Sequence, residues 1–487
     1  MASSYSNNAH SLDGLEFFFE SKLTSPLTIG DFVVLRKVSG NIEKKYLGVI
    51  EIAEIVSERL PRSITKSAQG LPDSISSSVI RSEGIKGSGR VLGRIDAEEF
   101  REISRSDSFN HFKITEANED DIKKWSTYQV QENPFSIGKF LNSENILVPL
   151  VLKDLSRHTF LSGQTGSGKS TAIRTAIKKV LQEKEKPKII IFDLNSEYND
   201  LCNKSKDDVG YKSINLSTKV IDKDVDEFIN IDFFQMDDEW KLSIINIDPI
   251  EDPVPFHKFC RTLHPYLDYI RQIGAEAKIK DQILNCQSFK NEELNSLGYA
   301  FDNIDLSKWD IWKSENTKIL LDEVIDGDNE LINIDLGSIK TKIQKLAVAS
   351  FILELLWKNR ETKQEFLIVI DEAHNIIPRV ESNLLSKNII NRMIDIAGEG
   401  RKYGLYLFLC SQQPSKIHEN VLSLCNNLIL LQTTSTMDLE YVYSKFSSIP
   451  KSFIDKARFL KQGEAIIGGP LVKTPVFMKI DHLKGKD

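Results

Sequence analysis

"FLSGQTGSGKST", residues 160–171, places Gly163, Gly168, Lys169 and Ser170 at the spacing G-x-x-x-x-G-K-[ST]. Glycines at those positions let backbone N–H groups close around phosphate oxygens, and the helix that starts there adds its positive end. The whole run Gly163, Gln164, Thr165, Gly166, Ser167, Gly168, Lys169, Ser170 and Thr171 therefore reads as a nucleotide-phosphate loop. Lys169 is expected to meet the β- and γ-phosphates of ATP, and Ser170 to hold Mg2+.

Working outward, "NILVPLVLKDLSRHTF" before the loop predicts a strand, and "STAIRTAIKKVLQEK" after it has helical periodicity. Further runs, "PKIIIFDLNSEY", "ELINIDLGSI", "EFLIVIDEAHNIIP", "GLYLFLCSQQP" and "NNLILLQT", are continuously apolar, as strands covered on both faces are. They alternate with helical stretches such as 340–360. The expected fold class is α/β, a RecA-like core around a mostly parallel, doubly wound sheet.

At the end of one predicted strand stand Asp371 and Glu372. In a nucleotide-binding sheet the first carboxylate orients Mg2+ and the second polarises the attacking water. Gln412 follows "LYLFLCS" and is placed to sense the γ-phosphate from a strand's carboxyl end. Residues 371–374 spell D-E-A-H, the signature of helicases with two RecA-like domains. Residues 372–487 suffice to finish one sheet only, so the expectation is a single core that a second copy completes. Arg401 in "GEGRKYG" is then the candidate to act in trans on a neighbour's γ-phosphate.

Toward the N-terminus, "DFVVLRKV" (31–38), "YLGVIEIAEIV" (46–56) and "GRVLGRID" (89–96) predict short strands of a small barrel. Residues 57–90 are rich in Ser and Gly and read as a long mobile loop. Residues 98–130 are charged and partly helical in pattern. The expected organisation is a β-barrel domain over 1–130 and an ATPase domain over 131–487. Within the latter, 200–330 reads as a helical insertion and about 460–482 as a closing strand pair.

Composition is ordinary for a water-exposed globular chain of 487 residues, 40% apolar and 27% charged. No apolar run reaches membrane-spanning length and no secretory signal pattern opens the sequence. The five cysteines are scattered, without metal-ligand spacing, which suits free thiols in a cytoplasmic protein. A net charge of −7 argues against a surface that grips nucleic acid everywhere, so DNA contacts are expected to be local.

These stretches resemble the HerA family within the HerA/FtsK group of ring-shaped motors. "SIGKFLNSENILVPLVLKDLSRHTFLSGQTGSGKST", "IFDLNSEY", "VIDEAHNIIP", "AGEGRKYGLYLFLCSQQPSKIHENVLSLCNNLILL" and "GEAIIGGPLVKTPVFMKID" follow in family order. The resemblance implies that Arg157, twelve residues before Lys169, is a second arginine of the ATPase site, and that Glu197 belongs to a D-x-x-x-E-Y element. It also implies a homohexamer that threads double-stranded DNA. Its implied partner is a nuclease or a sirtuin-type effector subunit, in DNA end processing or antiphage defence. An ATP-regulated scaffold with little DNA movement is the alternative. The family often has T-Q-R-P where this chain has "SQQP", so Gln413 stands in place of an arginine.

Overall fold

The structure is a computed structural model. It describes residues 7–24, 27–39, 42–60, 80–96, 99–103, 108–129, 134–143, 145–202, 211–218, 226–232, 236–248, 250, 304, 309–312, 320–362 and 364–482.

Seven strands make the N-terminal sheet: β1 (Asn8–Ser11), β2 (Glu16–Lys22), β3 (Phe32–Ser39), β4 (Ile42–Leu60), β5 (Ile80–Asp96), β6 (Glu99–Arg101) and β7 (Phe109–Glu116). Their order is β2-β1-β7-β3-β4-β5, and β2 also pairs with β5, so six strands close into a barrel with β6 appended. In β2 the sequence EFFFESK alternates strictly between exposed and buried. That period of two sends Phe17 and Phe19 inward to join Leu35, Tyr46, Ile50 and Phe112. The expected barrel is present, with two corrections to its extent. Residues 57–60 and 80–90, read as loop, are strand; 61–79 lie outside the described residues. The region 98–130 holds two strands before its helix, α1 (Glu119–Gln129).

Glycine explains the first miss. Cβ atoms at Gly87 and Gly89 would lie 2.7 Å from the Phe19 ring and 2.5 Å from the Phe17 ring. The glycine-rich stretch is a strand because two phenylalanines occupy the space its side chains would need.

Among the described residues the larger sheet has eleven strands. They are β9 (Gly138–Phe140), β11 (Thr159–Ser162), β12 (Lys188–Asp193), β13 (Ser213–Ser217), β14 (Glu227–Phe228), β15 (Leu331–Asp335), β16 (Phe366–Ile370), β17 (Leu405–Ser411), β18 (Asn427–Leu431), β19 (Glu464–Gly468) and β20 (Val476–Ile480). The order is β14-β13-β15-β12-β16-β17-β11-β18-β19-β20-β9, parallel as far as β18 and antiparallel beyond. A separate pair joins β8 (Pro134–Phe135) to β10 (Leu150–Val151).

All five residues of β16 are buried. Ile368 and Ile370 enter one core and Leu367 and Val369 the other. Each such side chain contributes about 2 kcal/mol relative to exposure, which is why the run needs no polar face. Helix α2 (Lys169–Leu181) packs into the second core through Ile173, Ile177 and Val180. Helices Lys342–Lys358 and Leu384–Glu399 cover the first.

The closing pair β19–β20 adds to this chain's own sheet. Much of the 200–330 stretch, including 251–303, lies outside the described residues. Its described parts hold strands β13 and β14 as well as short helices, α3 (Asp238–Ile244) among them, where the sequence reading expected mostly helix. Barrel and sheet meet at Trp125 of α1, 1% exposed, whose ring lies 5.2 Å from Phe32 and 5.9 Å from Phe140.

Candidate active site

Parallel strands put all their carboxyl ends on one edge, and the crevice along that edge is where ligands bind in such sheets. β11 ends at Ser162 and α2 starts at Lys169, leaving residues 163–168 as the loop between them. Gly166 (φ 79°) and Gly168 (φ 102°) hold left-handed backbone that other residues adopt only with strain. A Cβ at Gly166 would meet nothing within 4 Å, so this glycine serves conformation and open approach. Lys169 reaches back across the loop to donate to the Gln164 carbonyl at 3.3 Å. Gln164 is itself tied to the next strand, its N–H donating to the Gln432 carbonyl at 2.8 Å. The Ser167 hydroxyl is buried and finds no hydrogen-bond partner among the described residues. A ready phosphate cradle with one unmet polar atom suits an anionic ligand.

Beside the loop stands an acidic wall. The Ser170 hydroxyl donates to the Glu197 carboxylate. Asp193, at the end of β12, accepts backbone N–H groups from Asn195, Glu197 and Tyr198, at 3.2, 3.0 and 2.8 Å. Those bonds fold 194–198 into a turn that presents Glu197 outward and Tyr198 inward. The Tyr198 hydroxyl donates to Asp371 at 3.2 Å. Asp371 is 3% exposed; burial, and then the neighbouring Glu372 charge, push its carboxyl up to about 6. A hydroxyl and two carboxylates offer the hard oxygens that Mg2+ prefers, so the donor set of Ser170, Asp371 and Glu197 fits that ion.

Glu372 adopts left-handed backbone, φ 46° and ψ 48°. For a non-glycine residue this costs energy, and such residues concentrate where geometry matters to function. One of its carboxylate oxygens accepts from the Gln412 amide. The other is buried without a hydrogen-bond partner among the described residues, 3.4 Å from His374 Nδ1. Burial lowers the His374 pKa. Gln412 in turn accepts from the Thr165 hydroxyl at 2.7 Å. The phosphate loop and the acidic pair are therefore linked through one amide. Gln412 and Glu372 are legible in the sequence, whereas the bond from Thr165 to Gln412 and the hold of Tyr198 on Asp371 are not. The only available signal for Tyr198 was its place in the element beginning at Asp193.

The two arginines lie elsewhere. Arg401 precedes β17 and Arg157 precedes β11, neighbouring parallel strands paired Thr159 to Phe408. Both therefore sit at the amino edge of the sheet. Seven residues of β17 separate that edge from Gln412, a rise of about 20 Å. Arg401 is exposed, and Arg157 pairs with Asp154 at 3.2 Å. The structure thus brings Lys169, Ser170, Asp371, Glu372 and Gln412 together and sets Arg157 and Arg401 apart from them.

A strand, phosphate loop and helix, with an acidic pair at the end of a nearby parallel strand, define a P-loop ATPase with an α/β RecA-like core. Comparison with known proteins agrees with this class. The model of the helicase HerA central domain matches residues 135–356. The DNA double-strand break repair helicase HerA of Sulfurisphaera tokodaii is 28% identical over 401 residues, covering 73% of this chain and 70% of that protein. Its Pyrococcus furiosus counterpart is 22% identical over 517 residues, covering 96% and 90%. Among solved structures, the plasmid coupling protein TrwB with a non-hydrolysable GTP analogue superposes with a TM-score of 0.52 at 14% identity, covering 76% of this chain and 94% of that one. That last likeness is one of fold. Residues 135–356 thus match the HerA central domain, and most of the chain is similar to HerA helicases.

Proposed function

We propose that this protein is an ATP-driven motor that translocates along double-stranded DNA as a ring of identical subunits. The observation that carries the reading is the division of the site between two edges of one sheet. Lys169, Glu372 and Gln412 stand at the carboxyl edge; Arg157 and Arg401 stand at the amino edge, out of reach of this chain's own phosphate loop. A second subunit supplies the arginines in trans if its amino edge faces this loop. Similarity to HerA helicases supports DNA as the track.

In this reading Gly163–Thr171 cradle the phosphates and Lys169 meets the β- and γ-groups. Mg2+, when bound, offsets phosphate charge, and Ser170 and Asp371 hold it. Glu372 takes the proton of the attacking water while Gln412 orients that carboxylate. The barrel, with 1–130 as one domain and 131–487 as the other, is the face for a nuclease or other effector subunit. Six copies, and a role in DNA end processing or antiphage defence, belong to the same proposal.

The deciding experiment measures ATP hydrolysis with and without linear double-stranded DNA, with Glu372→Gln as the blank. Stimulation of several-fold supports a motor engaged on the duplex. A flat response overturns translocation and leaves an ATP-regulated scaffold for an effector enzyme.

A further inference from the structure

His158 is 3% exposed, and both of its ring nitrogens are used. Nδ1 accepts the Leu407 N–H at 3.0 Å, so the neutral ring carries its proton on Nε2, which lies 3.1 Å from the Ala397 carbonyl. These two contacts bracket one corner of the chain. Ala397 lies in the last turn of helix Leu384–Glu399, four residues before Arg401; Leu407 lies in β17, six residues after it. Between them a 3-10 turn, Gly400–Tyr403, carries Arg401, and Gly404 (φ 81°) reverses the chain into the strand. One imidazole therefore spans both sides of the corner.

The same residue continues directly from Arg157. Its backbone is held in a left-handed conformation, φ 55°. The Arg157 and His158 carbonyls accept the N–H groups of Asn426 and Asn427, at 3.0 and 3.1 Å. Asn427 also donates from its side chain to the Asp154 carbonyl at 2.8 Å. Both arginine-bearing segments are thus referred to one buried ring. A buried neutral imidazole has one donor and one acceptor to satisfy, and here the two partners come from opposite sides of one corner. Burial explains two bonds; it does not explain the left-handed backbone at His158 or the placing of both partners around the turn that carries Arg401.

We propose that His158 is a positioning residue that fixes Arg401, and with it Arg157, in the geometry needed to act on a neighbouring subunit's nucleotide. This rests on the trans reading of Arg401. His158 touches no nucleotide in its own chain; it acts through the corner it braces. Misplacing a group that stabilises a transition state by about 1 Å costs on the order of a hundredfold in rate.

The test uses His158→Asn in the full-length protein. Asparagine tolerates φ > 0 and presents an acceptor near the Nδ1 position, so it retains the Leu407 bond and loses the Ala397 bond. His158→Gln, which reaches toward Ala397 instead, is the second variant, kept in case the first does not fold. Each is assayed alone and mixed with Glu372→Gln subunits, which cannot hydrolyse ATP but carry an intact arginine edge. Fluorescent-nucleotide binding is measured in parallel.

We expect ATP turnover to fall by about a hundredfold with unchanged nucleotide affinity, and to recover on mixing. Recovery follows because a His158→Asn nucleotide site is sound and its neighbour supplies a well-placed Arg401. Wild-type turnover in the variant overturns the proposal. So does lost turnover that mixing fails to restore, which marks damage to the variant's own site. An Arg401→Ala plus Glu372→Gln mixture run alongside separates the two readings. If that control fails to recover, the trans reading itself falls; if it recovers and the His158 mixture does not, only the positioning role falls.

Discussion

The side-chain amide of Gln412 donates to the carboxylate of Glu372, joining the ends of neighbouring strands β17 and β16. Glu372 is 7% exposed and sits on left-handed backbone, so the amide holds a side chain with few other restraints. Removing it with Gln412→Ala should lower ATP turnover by about a hundredfold, the scale of losing one preorganised donor. Nucleotide affinity should change little, because the phosphate loop keeps its tie to β18 through Gln164 and Gln432. Steady-state kinetics with fluorescent-nucleotide titration checks both. A parallel loss of affinity would place Gln412 in binding.

Tyr198 holds Asp371 through its hydroxyl and packs under Arg174, whose guanidinium lies 5.6 Å from the ring centre. Tyr198→Phe keeps the ring and deletes one hydrogen bond to a carboxylate, worth about 1.5 kcal/mol. The Mg2+ concentration that supports half-maximal nucleotide binding should rise roughly tenfold, the factor that energy gives. Binding in EDTA should be unchanged. An equal effect with and without Mg2+ would refute a role through Asp371.

Burial, above all, holds the His158 ring's pKa down to about 4 from its ordinary 6.5. The unfolded chain takes up this proton near pH 6.5 and the folded chain only near pH 4. Folding stability from this group is therefore complete above about pH 6.5 and is lost as pH falls toward 4. The full loss is on the order of 3 kcal/mol. Urea midpoints at pH 7 and pH 4.5 should diverge more for the wild type than for His158→Asn. Equal divergence would assign acid lability to other groups.

In the barrel, a Cβ at Gly89 would lie 2.2 Å from the Val49 carbonyl and 2.5 Å from the Phe17 ring. Gly89→Ala should destabilise the protein by about 2 kcal/mol, within the range for overpacking. Thermal melting would register this as a lowered midpoint, with Phe17→Leu in the same chain recovering part of it. A neutral Gly89→Ala would mean that the strand yields more easily than its paired register implies.

Much of the ATPase core was legible because its signals are local. A short, β-branched apolar run such as Phe366–Ile370 reads as a strand covered on both faces, and G-x-x-x-x-G-K-S needs no tertiary information to announce a phosphate loop. The barrel was half legible. Its first two strands are short, and they turn Ser11 and Ser21 inward and Phe18 outward, so an exposed–buried alternation is not matched by a polar–apolar one. In β5 glycine chemistry pointed to a loop, and only the phenylalanines across the barrel reverse that inference.

The amino-acid order alone determined the chemistry available: a phosphate loop, an acidic pair ending a buried strand, and a glutamine and two arginines nearby in sequence. Those are consequences of residue type and short spacing. Which of these groups share a site was decided by tertiary structure. Arg401 is only eleven positions from Gln412, yet strand β17 runs between them and carries them to opposite edges of the sheet. Thr165 and Gln412 are 247 positions apart and share a hydrogen bond, because β11 and β17 are parallel neighbours that end at the same edge. Separation along a strand is fixed by its rise per residue, whereas proximity across strands is fixed by pairing order, and pairing order is set only when the whole sheet forms.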